Sequence, residues 1–130
     1  GALTHYAVSL GAVGRPEESI PLFEKAIRLD PFSSPYRSFG DALREAGQFE
    51  EAASALKKAI QLAPDDIRAH YYLAATYIMM GREKEARAEA AEVLRTDPKF
   101  SLDFWAKISA FKDRPEIDRF IDALRKAGLK

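Results

Sequence analysis

Two histidines, three acidic doublets, one Gly-x-x-Gly pair and a single tryptophan are the residues whose types could carry chemistry here. His5 and His70 stand far apart, with no HExxH spacing and no thiol or acidic ligand cluster beside them, so each reads as a histidine on a helix rather than a metal ligand. Ser-His-Asp catalysis needs a nucleophile elbow or a comparable constellation, and the chain has none. Gly11-x-x-Gly14 is not followed by Lys-Ser/Thr, which a phosphate loop would require. The doublets Glu17-Glu18, Glu50-Glu51 and Asp65-Asp66 fall in the first turn or cap of expected helices. The helix dipole favours negative charge there, which weighs against a general-acid role. Trp105 reads as a buried anchor in the tail rather than a binding platform. The chain has 0 cysteines, which excludes disulfide frameworks, zinc–cysteine sites and thiol catalysis. The sequence therefore predicts no catalytic residue, no cofactor and no metal, and a segment that is not itself an enzyme.

The totals narrow the partner class. Lys+Arg and Asp+Glu are equal at 20 each, whereas nucleic-acid binders carry a basic excess because phosphate contacts dominate their affinity. No apolar run approaches the roughly 18 residues of a membrane span, and no signal peptide is visible. The expectation is a protein or peptide partner, with no nucleic acid and no membrane, in a reducing, cytoplasmic setting. Because the chain opens on Gly1 and is helical in character from Ala2 to Leu10, it reads as a piece of a longer protein.

What must position any site is a repeat. Leu29-Asp30-Pro31, Leu62-Ala63-Pro64 and Thr96-Asp97-Pro98 place prolines 33 and then 34 residues apart. Gly14, Gly47 and Gly81 keep the same spacing, as do Ala26, Ala59 and Val93, and Ser19, Ala52 and Ala86. Ala7, Gly40 and Ala74 add one more small residue per unit. A period of this length is the mark of stacked helix pairs. Each glycine stands where a first helix must stop, each proline where a second one ends, and the alanines where two helices press together. In the middle unit Phe49, Ala52, Ala53, Leu56, Ala59 and Ile60 form an apolar stripe at helical spacing, while Glu50, Glu51, Lys57, Lys58 and Gln61 face out. The spacing predicts helices over 2–12, 16–29, 35–46, 49–62, 66–80 and 83–95, with Asp65 or Asp66 capping the fifth.

These columns resemble the tetratricopeptide repeat, a helix-turn-helix unit of about 34 residues. The match runs through Tyr6-Ala7, Leu10, Ser19, Phe23, Ala26 and Pro31, then Phe39-Gly40, Leu43, Ala52, Leu56, Ala59 and Pro64, then Leu73-Ala74, Tyr77, Ala86, Ala90, Val93 and Pro98. Ser19 and Val93 depart mildly from the pattern. The resemblance implies an all-α, right-handed superhelical solenoid of antiparallel helix pairs. Three units would span 1–98 (about 1–32, 33–65 and 66–98), with capping helices over 99–130. It also implies that the first helix of each pair lines a concave groove. The candidate peptide-binding residues are then Arg37, Asp41 and Arg44 in the second unit, with Ser34 and Ser38. In the third unit they are Arg68, Tyr71, Tyr72, Ala75, Ile78 and Met79. The three arginines suit a carboxylate; the aromatic and methionine set suits peptide contact. Tyr71, Ile78 and Met79 have packing against a neighbouring helix as their alternative. Chaperone-adaptor repeats grip a terminal carboxylate with a lysine–asparagine clamp; here the matching positions are Thr4, Val8, Ser38, Arg68 and Tyr72, and that clamp is not present.

The tail past Pro98 departs from the period. Leu102, Trp105, Ile108 and Phe111 mark one amphipathic stretch, and Ile117, Phe120, Ile121 and Leu124 another. Phe104-Trp105, Phe111-Lys112-Asp113 and the run from Arg119 to Leu129 resemble the C-terminal end of bacterial proteins that join a class III adenylate/guanylate cyclase domain to tetratricopeptide repeats. That resemblance implies a regulatory or assembly region of a cyclase-like protein, with the catalytic domain outside this chain. A stand-alone scaffold or adaptor is the alternative. Leu3, Tyr6, Val8 and Leu10 would form an N-terminal stacking face through which the segment could dimerise.

Overall fold

The computed structural model of this chain describes residues 16–30, 35–108 and 115–130. The helix expected over 2–12, with Thr4, His5, Val8 and the dimerisation face, lies outside them, as do Ser34 and Phe111. The described residues are helical, with no strand among them. In chain order the helices are α1 (Pro16–Leu29), α2 (Tyr36–Glu45), α3 (Phe49–Leu62), α4 (Ile67–Met79), α5 (Glu83–Thr96), α6 (Leu102–Ile108) and α7 (Pro115–Lys126). They fall into two compact units, 1–64 and 65–130.

In the first unit α2 packs against both α1 and α3. Ile20 and Phe23 of α1, Ala42 and Leu43 of α2, and Ala52 and Ala55 of α3 form a buried cluster. Phe23 meets Phe39 with ring centroids 5.8 Å apart. The repeated small residues sit where helices touch: Ala26 and Ala59 are buried, and Ser19 and Ala52 are wholly inaccessible. Gly40 marks the closest approach, since a Cβ there would stand 2.6 Å from Leu56 Cγ.

The turn between α2 and α3 closes as the glycine column predicts. Gly47 has φ +82°, a conformation that L side chains resist. It lets the Gly47 amide reach the Arg44 carbonyl and the Gln48 amide reach back to Leu43 at 2.9 Å. Those bonds satisfy carbonyls that a helix end otherwise leaves open. Gly81, at φ +76°, repeats this between α4 and α5.

In the second unit α4 packs against α5 and against α7. Because it is covered on more than one side, it is apolar around much of its circumference, from Ala69 through Leu73 and Ala74 to Tyr77. Asp66 caps it, its carboxylate accepting from the Arg68 amide at 3.1 Å. On α5 Ala86, Ala90 and Val93 are buried at helical spacing. The tail folds back on this pair. Phe120, Ala123, Leu124, Ala127 and Leu129 are buried, and the Leu102 amide donates to the Lys130 carbonyl.

Candidate functional site

The first helices carry the expected site residues. On α2, Arg37, Asp41 and Arg44 share one stripe at the i, i+4, i+7 spacing and are all half-buried. Asp41 and Arg44 pair with each other: an Arg44 guanidinium nitrogen lies 2.6 Å from Asp41 Oδ1, and Glu45 lies 3.7 Å away. A partner carboxylate would meet an arginine already engaged by its own helix. The i, i+3 spacing of Asp41 and Arg44 carried this signal.

On α4 the expected set divides. Arg68 and Met79 are exposed, and Tyr72 and Ile78 are half-buried. Tyr71 and Ala75, however, are interior, at 4% and 1% exposure. They are not free to line an open surface, because α7 lies on that side of α4. Tyr71 is the hub of an aromatic cluster. Its ring meets Tyr72 at 4.9 Å, Phe100 at 5.9 Å, Trp105 at 6.1 Å and Phe120 at 6.0 Å. Trp105 Nε1–H donates to the Tyr71 hydroxyl at 3.3 Å, and its ring meets Phe120 at 5.4 Å. Trp105 is thus a tail anchor. Tyr72 also touches Phe120, at 5.8 Å, so one of its faces belongs to the tail.

His70 is buried and its Nδ1 is hydrogen-bonded to Glu89 Oε2 at 2.7 Å, which ties α4 to α5. No sequence motif signalled this pair, because the two residues meet only once the helices fold together. Among the described residues no group of three or more His, Cys, Asp or Glu is placed to hold a metal, and no helix is long and apolar enough to cross a membrane. At the α5 end the Arg95 guanidinium is held above its ordinary pKa, first by its hydrogen bond to Glu92 and then by that carboxylate's charge, with Asp65 adding to both. This is an exposed structural pairing.

The geometry is therefore two first-helix surfaces, one per unit, charged on α2 and mixed cationic and apolar on α4. A tetratricopeptide repeat family model matches residues 43–109 and a second one matches residues 1–33. This chain belongs to the tetratricopeptide repeat family, whose helix pairs serve as protein-interaction modules. Among curated relatives, it is similar to the TPR repeat-containing thioredoxin TTL4 of Arabidopsis thaliana, 36% identical over 75 residues, covering 57% of this chain and 11% of the relative. Among solved structures it is similar to MamA (TM-score 0.74, 24% identity, 96% of this chain and 74% of that one). It is likewise similar to the second tetratricopeptide domain of human RPAP3 in complex with the HSP70 peptide SGPTIEEVD (TM-score 0.74, 17% identity, 98% and 93%). The chain spans 11% to 23% of the length of the curated relatives it matches.

Proposed function

We propose that this segment binds a segment of a partner protein on its first helices, through Arg37, Asp41 and Arg44 on α2 and through Arg68, Tyr72, Ile78 and Met79 on α4. One observation carries the reading: on α4 a cationic and an apolar side chain, Arg68 and Met79, stay exposed on a helix otherwise devoted to packing. Arginine and methionine are enriched where proteins meet. The RPAP3 domain, solved with a peptide, supports a peptide as the class of partner. The lysine–asparagine clamp for a terminal carboxylate has no counterpart here, so the partner segment is read as internal rather than C-terminal. The units of this reading are 1–32, 33–65 and 66–98, with 99–130 as cap, in a cytoplasmic protein.

The test is a charge reversal. Partners are captured on the intact segment and on Arg37→Glu and Arg68→Glu variants, and far-UV circular dichroism checks folding. The reading expects a captured partner to bind each variant at least about tenfold more weakly, as for loss of a charge-assisted contact. Equal binding to both variants would remove the first helices from the account.

A regulatory region of a cyclase-like parent is the finer form of this proposal. It rests on the resemblance of the Arg119–Leu129 run to the ends of such chains. The presence of a class III cyclase domain in the same polypeptide would support it, and its absence would favour a scaffold or adaptor.

A further inference from the structure

A crevice in the first unit has core residues Ile20, Leu43 and Ala55 at its base and lies off the first-helix stripe. It is a cavity of about 520 Å³ lined by α1, α2 and α3, with Tyr36 and Phe39 of α2, Glu24 of α1, and Glu50, Glu51 and Lys58 of α3 on its walls. Tyr36 and Phe39 stand one turn apart, on a different stripe of α2 from Arg37, Asp41 and Arg44. Phe39 is braced from below by Phe23, so the aromatic wall is fixed by the core. Glu24, Glu50, Glu51 and Lys58 are all exposed, and no ion pair joins them to one another or to another described residue. Three carboxylates thus face one ammonium. The dipole at the start of α3 accounts for Glu50 and Glu51, but not for Glu24, which sits in the middle of α1.

We infer that this crevice receives an arginine side chain from a basic segment of a partner protein. A guanidinium is planar, stacks on an aromatic ring and pairs with carboxylates from its edge. The crevice offers both kinds of surface together. A phosphate or carboxylate ligand would meet three like charges. An apolar helix laid across the opening would bury carboxylates without partners, which is costly. The site lies on a face separate from the first-helix stripe and does not depend on the reading above.

The experiment uses the full 130-residue chain and a synthetic amidated peptide, Gly-Ser-Arg-Ser-Arg-Ser-Gly, titrated with amide chemical shifts as the readout. Its counterpart carries citrulline at both arginines, keeping the shape and removing the charge. The arginine peptide is expected to give saturable shifts centred on Tyr36, Phe39 and Glu51, and the citrulline peptide none. A Glu24→Gln/Glu51→Gln variant should weaken binding about fivefold to tenfold, the scale of two exposed charge pairs. Tyr36→Leu should weaken it as well. A Glu83→Gln/Glu92→Gln variant changes net charge equally and should leave binding as it was. The inference is overturned if the arginine peptide shows no saturable shift up to millimolar concentration, if the control variant weakens binding as much, or if the shifts centre on Arg37, Asp41 and Arg44.

Discussion

At Gly40 the contact between two helices leaves room for a hydrogen atom and little else. An added Cβ would stand 2.6 Å from Leu56 Cγ and 2.8 Å from Leu56 Cδ2. Replacing a mid-helix glycine by alanine ordinarily stabilises by roughly 0.5–1 kcal/mol, but overpacking a dense interior costs roughly 1–3 kcal/mol. Gly40→Ala is therefore expected to lower stability by about 1–2 kcal/mol in urea unfolding followed by circular dichroism. A stabilised variant would mean that α2 and α3 lie further apart than described. Asp66→Ala removes the cap of α4 and should cost about 1 kcal/mol in the same measurement. Both residues were legible in the sequence, Gly40 as a member of a small-residue column and Asp66 as an acid ahead of an apolar run. Tyr71 was legible only as two alternatives, a groove residue or one packed against a neighbouring helix, and the rings of Phe100, Trp105 and Phe120 from further along the chain decide for the interior.

Helix boundaries follow from punctuation that the sequence displays. Glycine and proline act locally, so α1 and α3 begin and end at the residues their signals mark, and α2, α4 and α5 differ from expectation by one residue at one or both ends. Which face of a helix is covered is a non-local property. The packing of α7 on α4 depends on Phe120 meeting Tyr71, Tyr72 and Trp105, and no periodicity in either helix announces the other as its partner. Phe120→Ala should loosen α7, with a loss of about 3–5 kcal/mol in the stability of the second unit. Trp105, stripped of its neighbour, should shift its fluorescence emission to longer wavelength. Unchanged emission would show that the tail is anchored elsewhere.

For the chain as a whole, the repeat period made the family legible before any coordinate did. The family model matches residues 43–109, a stretch that holds Gly47 and Gly81, Ala59 and Val93, and Pro64 and Pro98. The candidate surfaces were legible only in part. They consist of whatever side chains remain uncovered after folding, and the tail covers some of the candidates. Removing residues 115–130 should uncover Tyr71, Tyr72 and Trp105 together, an apolar aromatic patch that favours association. Light scattering should then show mass rising with concentration for the shortened chain relative to the intact one.

The central claim, that partners are met on the first helices, is tested most directly by site-specific photo-crosslinking. A benzophenone side chain is placed in turn at Arg37, Arg68 and Met79, and at Lys57 and Lys84 on the second helices, and a captured partner is irradiated in complex with each. The account predicts crosslinks from the first-helix positions and little or none from Lys57 and Lys84. Crosslinks confined to Lys57 or Lys84 would contradict it.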